Sequence, residues 1–130
     1  MISKKEALEK TISMWTWLSL NPNKHKKDYH QIILKNRKPL VHHCFICQYA
    51  AEHNPETKDY CSYCIMKYCW TSKKEMERAE KEKDKISAYC ECRGSPYKIW
   101  VDSNDSIIKS VVALKIANLA RSILKKEKDE

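Results

Sequence analysis

Cys44-Phe45-Ile46-Cys47 and Cys61-Ser62-Tyr63-Cys64 stand thirteen residues apart near the middle of this 130-residue chain, and their reading decides the architecture. Two residues between cysteines let a tight turn aim both sulfurs at one ion, and a second such pair closes a tetrahedron at Zn–S distances of ~2.3 Å. The spacing predicts one structural Zn2+ held by Cys44, Cys47, Cys61 and Cys64. A disulfide framework fits poorly: the total of seven cysteines is odd, and Met1-Ile2-Ser3-Lys4-Lys5 leads into an amphipathic stretch rather than an apolar signal segment. The matching expectation is a reduced, cytoplasmic compartment. Cys69, the Cys90-Glu91-Cys92 pair, His42 and His43 stand as alternative or additional ligands. Cys-x-Cys is a weak pattern, however, and a free cysteine is commonly a small buried apolar residue. A histidine beside the first pair also suits a supporting place behind the ligands.

Outward from this centre the chain reads as helices. Ser3-Lys4-Lys5-Glu6 has the capping-box pattern, and Leu8, Ile12, Trp15 and Leu18 follow on one face, so a helix is expected from Ser3 to Leu20, stopped at Asn21-Pro22. A shorter helix is expected over 28–36 with Tyr29, Ile32 and Ile33 inward, ended by Pro39. The segment 37–41 should be extended, 48–52 a helical turn, and 53–59, with Asn54-Pro55, the loop between the two cysteine knuckles. Ile65 to Trp70 is apolar and should pack beside the metal. Ser72-Lys73-Lys74-Glu75 opens a charged helix running to Tyr89, with Glu77 and Lys81 at i,i+4 on its solvated face. Tyr97-Lys98-Ile99-Trp100-Val101 alternates as a short strand or connector does. A final helix is expected over 105–126, with Ile108, Val111, Val112, Ile116, Leu119, Ala120 and Ile123 as its apolar stripe and the first helix as its partner. The fold class is therefore mainly α: a single helical domain over 1–130, stabilised at a zinc-knuckle centre spanning 42–70, with at most a short strand or two.

Composition narrows the function. One glycine, Gly94, in the whole chain leaves no phosphate-cradling glycine loop. No apolar run approaches the ~20 residues that span a membrane. The formal charge is +8, and a tetrathiolate zinc centre, itself −2, brings it to about +6. The excess is concentrated in Lys24, Lys26, Lys27, Lys35, Arg37 and Lys38, opposed within 24–43 by Asp28 alone. Interleaved with His25, Tyr29 and His30, these six cations are the candidate contacts for nucleic acid or a partner surface.

Catalysis is not expected. Four thiolates leave zinc no open position for an activated water. A His-Asn-His nuclease pattern needs a metal-binding histidine after Asn54, and no histidine follows His53. The zinc deaminases carry proline where Tyr60 precedes the second cysteine pair, and their His-x-Glu is missing.

Trp15-Thr16-Trp17-Leu18, Asn21-Pro22-Asn23-Lys24 and Lys27-Asp28-Tyr29, followed by the cysteine pairs and Cys69, resemble the small cysteine-rich zinc-binding proteins encoded by phages and prophages of Gram-positive bacteria. The likeness covers about residues 10–70. It implies a host-takeover factor that works by occupying a surface in the bacterial cytoplasm, as zinc-stabilised anti-CRISPR proteins block an RNA-guided nuclease. The positive charge departs from acidic nucleic-acid mimics and implies docking on protein. The expected function is therefore a non-enzymatic inhibitor of a bacterial defence protein, most simply an anti-CRISPR. The alternative is a small nucleic-acid-binding or transcription-modulating zinc protein acting through residues 24–38.

Overall fold

Ser3 stands at the head of α1 (Lys4–Leu20), its hydroxyl accepting from the Glu6 backbone N–H at 3.1 Å, which satisfies one of the donors a helix start leaves open. At the other end the Asn21 side chain donates to the Trp17 carbonyl at 2.8 Å before Pro22 turns the chain. In a computed structural model that describes residues 1–35, 44–56, 63–70, 73–82 and 94–129, α1 is followed by α2 (Lys26–Ile32), α3 (Phe45–His53), α4 (Lys67–Trp70), α5 (Lys73–Lys81), α6 (Pro96–Asp102) and α7 (Ser106–Asp129). The protein is mainly helical, with no strand among the described residues. No described helix is long and apolar enough to cross a membrane. The expected extended segment 37–41 lies outside the described residues, as do residues 83–89 of the charged helix.

The core is an antiparallel pair, α1 against α7. Lys4 and Glu127 join one end at 2.5 Å, and at the other the Ser110 hydroxyl donates to the Ser19 carbonyl at 2.6 Å. Between them Ala7, Leu8, Thr11, Met14, Trp15 and Leu18 of α1 meet Ala113, Ile116, Ala117 and Ala120 of α7, all buried. Three alanines on the contact face let the two backbones approach closely, so the bulk is supplied by α1. Asp105 caps α7, accepting from the Ile107 and Ile108 N–H groups at 2.8 and 3.1 Å.

α3 lies across the start of α1. Phe45, Ile46 and Ala50 face inward, and the Ile2 N–H donates to Glu52 at 2.8 Å while His53 Nε2 donates to the Ile2 carbonyl at 3.0 Å.

Three expectations change in the folded chain. Tyr97 to Val101 belongs to α6, a helix rather than a strand, because Pro96 sits in its first turn after Ser95 and a proline there is already shaped for helix. The spacing of Pro96 and Trp100 then buries both, and Trp100 meets Trp15 edge-on at 4.9 Å in the core. In α2, Tyr29 is buried as expected, but His30 is its companion, and Ile32 and Ile33 are exposed. The helix ends at Ile32 with Ile33 as its cap, and Lys35 beyond it adopts φ 54, a left-handed conformation in which a helix could not resume. Finally, the turn expected over 48–52 is the middle of a nine-residue helix beginning directly after Cys44.

Candidate metal centre

The first cysteine pair is built on a helix start. Cys44 occupies the cap position of α3 with extended backbone, φ −102 and ψ 122, and Cys47 lies in the first turn. Burying Phe45 and Ile46 between them orients that turn and leaves both thiols half-buried, Cys44 against the core. The Cys47 thiol donates to Cys44 and holds its thiol down at about 6 from an ordinary 9.0; the Lys26 ammonium and the Cys47 and Ile46 backbone N–H groups add to this, against burial, which pushes upward. Two sulfurs on one side of a helical turn, one favoured as thiolate, suit half of a tetrathiolate zinc shell.

Cys64 lies just before α4 and Cys69 within it, both half-buried. Burial pushes the Cys69 thiol up, opposed by the Lys126 ammonium near the end of α7, so Cys69 sits in surroundings opposite to those of Cys44. Among the described residues no three His, Cys, Asp or Glu side chains converge closely enough to hold an ion. Cys61, Cys90, Cys92, His42 and His43 lie outside the described residues. The structure thus brings Cys44 and Cys47 together on one turn.

Of the basic stretch, Lys24, Lys27 and Lys35 are exposed, and Arg37 and Lys38 lie outside the described residues. Lys26 behaves differently. Its ammonium donates to the Tyr97 hydroxyl at 2.8 Å and lies 4.4 Å from the centre of that ring. Burial lowers Lys26, but Tyr97, Cys44 and Cys47 together outweigh it and hold the amine up. Lys26 therefore links the cysteine pair to α6. Sequence reading grouped it with surface cations; the partner that turns it inward lies 71 residues away.

A thiol depressed in the folded protein stays ionised, and available to metal, down to its folded value; that contribution is lost as pH falls through about 6. Lys26→Gln removes a cation that lowers the Cys44 thiol, so zinc release on acid titration should begin at higher pH than in the wild type. A chelating dye reads this directly, and coincident release curves would contradict the assigned electrostatic role.

No protein-family model, curated protein sequence or solved structure matches the chain.

Proposed function

We propose that the chain is a non-enzymatic, zinc-stabilised docking protein that inhibits a bacterial defence protein, with an RNA-guided nuclease as its leading target. The observation that supports docking is the outer face of α7. Ile107, Val111 and Leu114 fall at i, i+4 and i+7 with Ile108 beside them, and these four side chains are between 44% and 76% exposed. The inward face of the same helix carries Ala113, Ile116, Ala117 and Ala120, so α7 is apolar on both sides at this level. A solvated helix needs one such face. The second is available to a partner, and each apolar side chain buried there contributes about 1.5–3 kcal/mol at most. The choice of target rests on the resemblance to phage-encoded proteins given above.

The test is co-migration with a purified RNA-guided nuclease in size-exclusion chromatography after nuclease digestion. The wild type should form a stable complex, since an interface of ~1,600 Å2 depends on packed anchors more than on long-range charge. Val111→Glu with Leu114→Glu should abolish it while leaving the melting temperature nearly unchanged, because neither side chain is buried. A wild type that stays alone rejects the nuclease as target. A double variant that still binds rejects the α7 face.

A second reading, a nucleic-acid-binding or transcription-modulating zinc protein, is supported by the exposed Lys24, Lys27 and Lys35.

A further inference from the structure

Between the start of α2 and the junction of α6 with α7 lies a cleft of about 260 Å3, whose lining includes His25, Lys26, Lys27, Tyr97, Trp100 and Lys109 but no carboxylate. Two of its three ammonium groups are held in place by neutral partners. Lys26 is tied to the Tyr97 hydroxyl at 2.8 Å; Lys109 donates to the Trp100 carbonyl at 3.0 Å and lies 4.3 Å from the centre of the Trp100 ring. Asp28, the acidic residue next to Lys27, is turned to the His25 backbone N–H at 2.8 Å. Among the described residues no ion pair involves Lys26, Lys27 or Lys109.

Three cations on an aromatic, poorly polarisable floor concentrate positive potential. Lys109 is half-buried without a countercharge among the described residues, a cost that a bound anion offsets, and Lys27 stands exposed at the same cleft. The cysteine pair faces Lys26 and supplies part of its compensation. Lys27 and Lys109 make no ion pair among the described residues, and they are the groups left to receive a ligand. Trp100, 3% exposed, offers no ring face on which a base could stack. Its indole N–H has no acceptor among the described residues. Recognition here is therefore by charge, and the volume is below the ~300 Å3 at which sites for whole small molecules begin.

We infer that this cleft binds a phosphate group, with Lys27 and Lys109 contacting the anion and Lys26 maintaining the positive wall. The site uses a different surface from the α7 face. It deepens the second reading, on which only the source of the phosphate depends, and it adds a cation from α7 to the basic stretch.

The experiment is calorimetric titration of the zinc-loaded protein with a twelve-residue oligothymidylate and, separately, with inorganic pyrophosphate, over a range of salt concentrations. Two lysine–phosphate contacts on a single strand give a slope of log K against log salt of about −1.4, and removing both should leave it near zero. Lys27→Gln with Lys109→Gln should weaken binding about tenfold or more, with that change in slope. Lys109→Arg, which keeps the charge, should preserve the slope and so separates lost charge from lost packing. Lys115→Gln, a surface cation of α7 outside the cleft, should bind as the wild type does. Tighter binding of the oligonucleotide supports a nucleotide chain as the source. Equal binding of pyrophosphate, with the same dependence on Lys27 and Lys109, supports the site with a small phosphate as its source and rejects the nucleic-acid reading. Failure of both probes to bind, or binding undiminished in the double variant, overturns the proposal. Val111→Glu with Leu114→Glu should leave these titrations unaltered, so failure of the docking reading and failure of the cleft give different results.

Discussion

Serine at Cys47 or at Cys61 should abolish stoichiometric zinc binding and melt the segment between α2 and α5. The wild type should carry one zinc per chain. Two knuckles of soft thiolate select zinc over oxygen-preferring ions, and structural zinc supplies about 10–16 kcal/mol of apparent binding free energy. A whole domain's net stability is only about 5–15 kcal/mol, so a zinc centre would be worth as much as the remaining fold. The α1 and α7 pair buries its own face and should keep part of its helical signal, making the loss partial in circular dichroism but complete in metal content. Elemental analysis and thermal melting are the measurements. Either variant retaining wild-type zinc and melting temperature would remove that cysteine from the ligand set, and a wild type with no zinc or with two would overturn the single tetrathiolate centre.

Trp15→Ala should be the most costly substitution in the helical core, at about 3–5 kcal/mol, with Ile116→Ala at about 2–5 kcal/mol. Trp15 is 2% exposed and makes edge-on contacts to Trp100 at 4.9 Å and Tyr97 at 6.1 Å. Its removal leaves a void at the point where α1, α6 and α7 meet, and aromatic pairs add to the loss from burial alone. Ile116 is fully buried on α7 against the same helix. Glu77→Ala and Lys81→Ala on α5 are the comparison, both at exposed positions, and should cost under ~0.5 kcal/mol. The ion pairs of α5 run instead from Arg78 to Glu75 and Glu82, at 2.6 and 2.5 Å on the surface. Denaturant unfolding separates the two classes, and equal effects would show the buried face of α1 to be wrongly assigned.

The two long helices were legible because their signals are local. Ser3 and Asp105 supply the caps, Asn21-Pro22 supplies a stop, and a period near 3.6 runs between them. Tyr97 to Val101 misled because five residues of alternating character suit a strand as well as a helix with one inserted aromatic. Pro96 was the available signal for helix, placed at its first turn. The proximity of Cys44 and Cys47 follows from their two-residue spacing, but their seat at the head of α3 depends on Phe45 and Ile46 being buried.

The chain's own pattern determined that this protein is helical and where its main helices begin and end, because capping and turn chemistry act over a few residues. Tertiary packing decided the rest. Ile108 and Val111 were read as core but stand half or more exposed, because α7 is apolar on both sides and the alanines at 113, 117 and 120 permit the closer approach to α1. Lys26 left the surface group and Lys109 joined it across a cleft only when α6 and α7 were laid beside α2. The Lys26 to Tyr97 contact spans 71 residues, and a contact of that separation is set by the packing of the helices that carry it.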